Sequence, residues 1–367
     1  MSFIVGPDIY LYKSFAQFVQ STGIGENDLI VSNKPIIAPY LDLLNAGNGV
    51  LYVEDYGTGE PTNSMINTIL GDISGKGYKR IIAIGGGAVI DISKQLRFEE
   101  GLSCEDLYAR VSELAKYKQR ELIAVPTTCG TGSEVTAISV ALFPEKKTKI
   151  GLVSPALYPN QAVLVPDLLA SMPYDVFAAS SVDALIHAVE SYVSPKADAF
   201  SELYSVDAIR RILNGYQQIV ADQTSLSGLL EDFSIASCYA GIAFSNAGCG
   251  GVHALSFPLG GTFHVPHGKS NYYLFMEIFK KYVEKGADLS KLERLLEQEL
   301  GSGNVWENLE TLLEKVLPRV PLSQLGVTEK DIDEFVPSVV QNQQRLLVNM
   351  PVPFDEEDMK QVYRDVL

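Results

Sequence analysis

Short apolar runs alternate with helical patterns in the first half of the chain. The runs of strand length are residues 28–32, 49–53, 80–84 and 121–125. The pattern that starts at Pro61 predicts a helix between two of them. Strands separated by helices are typical of a parallel sheet with helices on both faces, so we predict an α/β domain.

The pattern changes in the second half to long amphipathic stretches. Residues 200–216 and 289–300 have apolar positions at helical spacing and few β-branched runs. The proline-punctuated stretch 155–173 is typical of a domain boundary. We therefore predict an α/β domain at residues 1–172 and an all-helical domain at residues 173–367.

Composition narrows the class of function. The chain has 367 residues and a formal net charge of −16, and an acidic protein repels phosphate backbones and anionic lipid. We therefore expect no nucleic acid or membrane partner, and no apolar run approaches the ~20 residues that span a bilayer. The N-terminal residues lack the pattern of a secretory signal, and the 4 cysteines contain no C-x-x-C pair. These features predict a cytoplasmic protein with a small-molecule substrate.

Two glycine- and hydroxyl-rich segments follow predicted strands. Three glycines come after residues 80–84 and precede a helical pattern, and such a turn lets a phosphate approach the helix N-terminus. Residues 126–136 (PTTCGTGSEVT) supply hydroxyls that suit diphosphate and ribose. Each segment alone also fits an ordinary turn or helix cap. Together, at the ends of two strands, they favour a nucleotide site.

The 4 histidines lie in two segments. His187 follows Asp183 by one helical turn, so both side chains lie on one helix face. Glu190 falls on the same face, and we predict that it orients His187. The other histidines lie within residues 253–267. Spacing alone does not decide whether His264 or His267 would be the metal ligand. One carboxylate with imidazoles favours Fe²⁺ or Zn²⁺ over Mg²⁺ or Ca²⁺.

At these residues the chain resembles the iron-containing alcohol dehydrogenase family. The motifs extend over nearly the whole chain: residues 85–91 (GGGAVID) with Lys94, 127–134 (TTCGTGSE), 183–190 (DALIHAVE), 240–244 (AGIAF) and 266–268 (PHG). The resemblance implies an N-terminal dinucleotide-binding α/β domain and an all-helical C-terminal domain, with metal and nicotinamide in the cleft between them. It also implies a homodimer.

The resemblance further implies roles for single residues. The implied metal ligands are Asp183, His187, His253 and His267. The Pro-His-Gly context selects His267 rather than His264. The implied cofactor-binding residues are Gly86, Gly87 and Ala88 at the diphosphate, Thr127, Thr128 and Thr131 along the cofactor, and Lys149 near the nicotinamide ribose.

Three positions depart from the family pattern. Phe257 stands where many members have a further histidine, which excludes a proton relay there and makes the pocket more apolar. Val165 and Pro166 replace a common Asp-Pro. Asn33 replaces an acidic residue that accepts from the ribose 2′-hydroxyl and repels a 2′-phosphate, and Lys34 beside it suits a phosphate. We still expect NAD rather than NADP, because the most similar members use NAD.

The expected reaction is reversible hydride transfer between NAD(H) and a short-chain alcohol. Several segments resemble members that act on 4-hydroxybutyrate, namely residues 248–253, 256–267 and 343–349. The carboxylate of such a substrate needs a positive partner. Arg345 is our candidate, with Lys269 second, and an ordinary surface ion pair is the alternative reading of Arg345. His264 is a candidate for helping the proton to leave, with a structural role as the alternative.

Two other classes of function are also compatible with the sequence. A non-redox lyase of the dehydroquinate synthase type shares the fold, the metal and NAD, but needs several basic residues near these motifs, where few occur. A nucleotide-binding protein without catalytic activity would not need all four metal ligands at the positions where the family has them. Another short alcohol or diol is the nearest alternative substrate.

Overall fold

The computed structural model describes residues 2–44, 49–146 and 148–367. These residues form two compact units, Ile4–Met172 and Pro173–Leu367. Ser2 and Phe3 belong to the second unit, whereas the predicted first domain included them. The reason is aromatic packing, because the ring of Phe3 lies 5.5 Å from that of Phe200 and 5.8 Å from that of Tyr204.

The first unit is an α/β structure, as predicted. Its strands are β1 (Asp8–Leu11), β2 (Asp28–Ser32), β3 (Gly49–Tyr52), β4 (Arg80–Gly85), β5 (Glu121–Pro126), β6 (Ile138–Phe143), β7 (Thr148–Val153) and β8 (Gln161–Leu164). Its helices are α1 (Phe15–Thr22), α2 (Lys34–Ile37), α3 (Asn63–Ile73), α4 (Gly87–Leu96) and α5 (Cys104–Ala109). Among the described residues, a parallel sheet has the strand order β1-β8-β5-β4-β2-β3.

The central strand β4 shows why its sequence is continuously apolar. Ile81 and Ala83 belong to the core on one face of the sheet, while Ile82 and Ile84 belong to the core on the other. Both faces are therefore covered, and the four positions from Ile81 to Ile84 leave no place for a polar side chain. The carboxyl ends of neighbouring parallel strands share one edge, so the segments after β4 and β5 emerge side by side.

Four strands were not predicted. β1 is exposed along its whole length and β8 has only four residues, so neither produces a clear apolar run. β6 and β7 pair antiparallel as a separate two-stranded sheet. In β6 buried positions alternate with half-buried ones, the pattern of a strand with one covered face.

The second unit is all-helical, as predicted. Its helices are α6 (Tyr174–Val193), α7 (Ala199–Ala221), α8 (Leu226–Ala247), α9 (Gly251–Phe263), α10 (His267–Glu284), α11 (Ser290–Leu300), α12 (Val305–Val316), α13 (Glu329–Asn342), α14 (Gln344–Leu347) and α15 (Glu356–Asp365). The predicted stretch 200–216 lies within α7, and the stretch 289–300 begins one residue before α11 and ends with it. No helix in the described part of the chain combines the length and apolarity needed to cross a membrane.

Candidate metal and nucleotide sites

Helix α6 carries three buried polar side chains on one face. Asp183, His187 and Glu190 follow one another at intervals of four and three residues, and each is at most 4% exposed. This spacing places them on one side of the helix. A buried charge is tolerated only when it is paired or bound to a metal, so the face needs partners from neighbouring helices.

The partners come from α9 and α10. His253 lies in the first turn of α9, and α10 begins at His267. The two helices join through His264, an exposed residue with a left-handed φ of 55° that ends α9. Gly268 allows α10 to approach α6 closely, because a Cβ there would lie 2.0 Å from the carbonyl oxygen of Ala179. This contact sets His267 next to Asp183.

The four implied metal ligands come together in the helical unit. One ligand atom from each of Asp183, His187, His253 and His267 lies within 4.8 Å of the others. The Asp183 carboxylate is 3.8 Å from His187 Nδ1, 3.6 Å from His253 Nε2 and 3.9 Å from His267 Nε2. Two atoms bound about 2.1 Å from one tetrahedral ion lie about 3.4 Å apart, so small shifts suffice for a shared ion. The donor set fits a divalent ion such as Fe²⁺ or Zn²⁺.

The cluster is strongly coupled electrostatically. Burial acts to raise the pKa of the Asp183 carboxyl, but His187, His267 and His253 lower that pKa well below its usual range. Asp183 is therefore a carboxylate, the form that binds a cation. His267 differs from the rest of the set because its side chain is 29% exposed. One side of the cluster is thus accessible, as a catalytic metal site requires.

Glu190 orients His253, a partner that the sequence did not indicate. Its Oε2 lies 2.6 Å from His253 Nδ1, and its Oε1 accepts from the Val252 backbone N–H at 2.6 Å. This hydrogen bond directs the other ring nitrogen, Nε2, towards Asp183. A carboxylate behind a metal-binding histidine fixes the ring and raises its basicity. A helix pattern shows neighbours along α6 only, so this contact with α9 was not predicted, and a role of Glu190 towards His187 stays a prediction.

Asn271 is a residue of the cluster that the sequence analysis missed. It is fully buried, and its Nδ2 lies 2.6 Å from Asp183 Oδ1, 3.0 Å from His253 Nε2 and 3.3 Å from His267 Nε2. Within the described residues its Oδ1 has no hydrogen-bond partner although it is buried. The available signal was its position one helical turn after His267 on α10.

Aromatic rings cover the imidazoles. The ring of Phe244 stacks on that of His187 with centroids 4.2 Å apart, and the ring of His187 stacks on that of His253 at 4.4 Å. Phe257 is buried and its ring centroid lies 6.1 Å from that of His267. Phe257 occupies the position at which many family members have a histidine. Its ring makes the surroundings of His267 more apolar, as expected.

Arg345 lies in the short helix α14 and is exposed. Partial desolvation of the guanidinium lowers the pKa of Arg345, and the Cys249 thiol acts in the opposite direction. Cys249 in turn lies beside His253 and Glu190. No carboxylate of the described residues forms an ion pair with Arg345, so the alternative of a surface salt bridge is not seen. Lys269 is half-buried in the first turn of α10.

The two predicted nucleotide-binding segments meet in the α/β unit. The Thr127 N–H donates to the Gly85 carbonyl at 3.1 Å, which continues the pairing of β4 with β5. A Cβ on Gly87 would lie 2.6 Å from Thr131 Cγ2, and one on Gly86 would lie 3.4 Å from Thr128. Glycine is thus required at Gly87 for the turn to pack against the threonine-rich loop. Gly86, Gly87 and Ala88 remain half-buried at the N-terminus of α4.

Side chains of α4 anchor the loop from behind. Asp91 accepts from Ser133 Oγ at 3.0 Å and from the Val140 N–H at 2.9 Å. Lys94 is fully buried and donates to Thr136 Oγ1 at 3.0 Å. Burial lowers the pKa of Lys94 to about 8. The motif that contains Asp91 and Lys94 therefore holds the loop in place.

One buried hydroxyl in the loop is available to a ligand. Within the described residues, Thr127 Oγ1 has no hydrogen-bond partner, although Thr127 is only 4% exposed. Buried hydroxyls are usually satisfied by protein, water or ligand. This atom, the glycine turn and the helix N-terminus fit a bound dinucleotide.

The remaining predicted cofactor residues have protein partners. Lys149 is buried in β7 and its Nζ lies 2.7 Å from Glu60 Oε1. Asn33 follows β2, and its Nδ2 donates to Glu54 Oε2 at 2.9 Å. Glu54 follows a different strand, β3, so its place beside Asn33 is not apparent from the sequence.

Comparison with known proteins identifies the family. The description "Iron-containing alcohol dehydrogenase" matches residues 11–166, and "Fe-containing alcohol dehydrogenase family, C-terminal" matches residues 177–367. The chain belongs to the iron-containing alcohol dehydrogenase family. It is thus an oxidoreductase of a family whose members use a divalent metal, which confirms the resemblance seen in the motifs.

Relatives within the family match the chain over most of its length. The 4-hydroxybutyrate dehydrogenase of Clostridium kluyveri is 46% identical over 365 residues, which cover 98% of each chain. Long-chain-alcohol dehydrogenase 1 of Geobacillus thermodenitrificans is 35% identical and covers 78% of this chain and 74% of its own. The solved iron-containing alcohol dehydrogenase of Thermococcus thioreducens superposes with a TM-score of 0.84 at 25% identity, covering 100% of this chain and 99% of its own.

Proposed function

We propose that this member of the family catalyses reversible oxidation of 4-hydroxybutyrate to succinate semialdehyde with NAD. The observation that carries the proposal is the full-length match to the C. kluyveri enzyme, in which 46% of residues are identical. The reaction converts alcohol and NAD⁺ to aldehyde, NADH and one proton. Steady-state assay of a panel of alcohols with NAD, in the presence of Fe²⁺ or Zn²⁺ under anaerobic conditions, tests it.

We propose that Asp183, His187, His253 and His267 hold the metal, with Fe²⁺ the expected ion and Zn²⁺ the alternative. A bound divalent ion would act as a Lewis acid on the substrate oxygen. Asp183 contributes the negative charge of the set, and Glu190 fixes the orientation of His253. Phe244 and Phe257 surround the imidazoles with apolar surface, which strengthens electrostatic interactions at the cluster.

In the α/β unit, we assign the diphosphate of NAD to the glycine turn. The backbone N–H groups of Gly86, Gly87 and Ala88 would donate to it at the positive end of α4. Thr127, Thr128 and Thr131 would line the cofactor, and the nicotinamide supplies the hydride chemistry. Lys149 would contact the ribose while it remains paired with Glu60.

We assign the substrate carboxylate to Arg345. Its charge persists at all relevant pH values, and a guanidinium binds a carboxylate through two parallel hydrogen bonds. Arg345 lies in the segment of residues 343–349 that resembles members acting on 4-hydroxybutyrate, and its exposed side chain is free of ion pairs among the described residues. Lys269 is the second choice. A role of His264 in proton release stays a prediction; His264 lies outside the ligand set, and its exposed helix-ending conformation also fits a structural role.

We further propose a homodimer in the cytoplasm. The homodimer follows from the family resemblance. The 4 cysteines are all buried, and no disulfide is formed among them, which suits a reducing compartment.

Metal binding should stabilise the protein. At a free metal concentration one hundred times Kd, we expect a gain of about 2.7 kcal/mol in the free energy of unfolding. For a unit of this size, the gain corresponds to a rise in Tm of roughly 5–10 °C. Thermal unfolding with Zn²⁺ and with chelator measures it. The Asp183→Ala variant should show no rise; an equal rise in that variant would place the bound metal elsewhere.

Replacing Glu190 by glutamine should weaken metal binding without removing a ligand. We expect an affinity lower by about tenfold to a hundredfold, because the amide orients His253 less well and leaves its ring less basic. Competition with a coloured chelator gives the dissociation constant. Glu231→Gln, the same substitution at an exposed position of α8, is the matched control. Equal affinities for both variants would exclude the orienting role.

A further inference from the structure

Two acidic side chains follow β3, the edge strand next to β2. Parallel pairing of β3 with β2, and of β2 with β4, brings the carboxyl ends of these strands to the same edge of the sheet. The glycine turn emerges from β4 at that edge. Glu54 and Asp55 therefore lie on the side of the sheet where the proposed dinucleotide binds.

The Glu54 carboxylate is fixed at the end of β2. Its Oε2 accepts from Asn33 Nδ2 at 2.9 Å, and its Oε1 accepts from the Lys34 backbone N–H at 2.6 Å. Both bonds hold a negative charge beside the position at which the family has an acidic residue. Asn33 thus serves as the donor that brings the carboxylate of a neighbouring strand to this place.

Lys34 is also engaged, which removes an argument for NADP. Its Nζ lies 3.0 Å from Asp55 Oδ1 and 5.1 Å from the centre of the Tyr52 ring. The hydrogen bond with Asp55 is the main cause of the raised pKa of Lys34. Glu54 and Asp55 together carry two negative charges against one positive charge, so the local balance is negative.

We propose that Glu54, held by Asn33, selects NAD over NADP. In dinucleotide-binding folds, an acidic side chain near the glycine turn accepts from the ribose 2′-hydroxyl and repels a 2′-phosphate. Here Glu54 provides that carboxylate from β3 instead of β2. The inference rests on the proposed nucleotide site in the α/β unit, and it names the group that determines the site's specificity.

The test compares binding of NADH and NADPH to the full-length protein. Titration followed by nicotinamide fluorescence gives both dissociation constants without catalysis. In Glu54→Gln, the preference for NADH over NADPH should fall by at least about tenfold, mainly through tighter NADPH binding. Glu99→Gln, an exposed glutamate beyond the C-terminal end of α4, should leave the preference unchanged. Circular dichroism establishes that each variant is folded.

A rescue variant separates the loss of the carboxylate from any other effect of the substitution on nucleotide binding. Asn33→Asp combined with Glu54→Gln returns a carboxylate to the end of β2 and should restore the preference for NADH. If Glu54→Gln is poorly folded, Asn33→Ala, which removes only the donor to Glu54, should reduce the preference by a smaller factor. An unchanged preference in folded Glu54→Gln or Asn33→Ala would overturn the role of Glu54 but not the proposed nucleotide site. A wild type that binds neither nucleotide would overturn the proposed nucleotide site as well.

Discussion

Replacing His267 by alanine is expected to abolish metal retention and to lower kcat/KM by about a thousandfold. A factor of this size corresponds to about 4 kcal/mol of lost transition-state stabilisation. The physical reason is that His267 supplies one of the four donor atoms. Without its imidazole, solvent occupies that position. Metal analysis of the purified variant and steady-state kinetics with added Fe²⁺ measure the two effects.

The matched control lies three residues away in the same connection. His264→Ala removes an imidazole from the exposed residue that ends α9, outside the group of converging side chains. It should retain the ion. If His264→Ala lost the metal while His267→Ala kept full occupancy and activity, the ligand assignment would be wrong.

The Arg345→Met variant should separate charged from neutral substrates. We expect kcat/KM to fall by roughly a hundredfold for 4-hydroxybutyrate, the equivalent of about 3 kcal/mol, and to change little for 1-butanol. Methionine keeps much of the side chain's apolar length but cannot pair with a carboxylate. Kinetics with both alcohols in wild type and variant give the comparison.

The control for this prediction is Arg294→Met, the same substitution at an exposed position of α11. It should affect neither substrate. Equal losses for the acid and the neutral alcohol in Arg345→Met would remove Arg345 from the carboxylate site. A wild type that prefers 1-butanol would contradict the hydroxy acid as substrate.

The sequence predicts those elements whose burial is complete. The runs that became β2, β4 and β5 are apolar at all of their inner positions because both faces of the sheet are covered. β1 lies at the sheet edge and is exposed, so its sequence has no comparable pattern. The α/β and all-helical parts were therefore predictable, whereas the complete strand order was not.

For the candidate site, the sequence predicted the metal-binding residues but not all the contacts between side chains. Helical spacing placed Asp183 and His187 together, and the family motif added His253 and His267. The partner of Glu190 is 63 residues away, and Asn271 reaches Asp183 across 88 residues. Such contacts depend on how helices pack and leave no periodic signal along the chain.

The same limit applies to the cofactor preference. Asn33 was a departure from the family pattern that weakened the case for NAD. The structure shows a carboxylate from the next strand hydrogen-bonded to it, across 21 residues. This contact depends on the pairing of β2 with β3, which the sequence does not reveal.

We propose above all that this chain transfers hydride from 4-hydroxybutyrate to NAD with the help of a bound metal. The most direct measurement uses 4-hydroxybutyrate deuterated at C4 and mass analysis of the reduced cofactor. We predict that the protein loaded with Fe²⁺ or Zn²⁺ forms succinate semialdehyde and NADH that carries one deuterium, and that chelation stops both. Absence of deuterium from the cofactor, or an unchanged rate after the metal has been removed, would contradict the account.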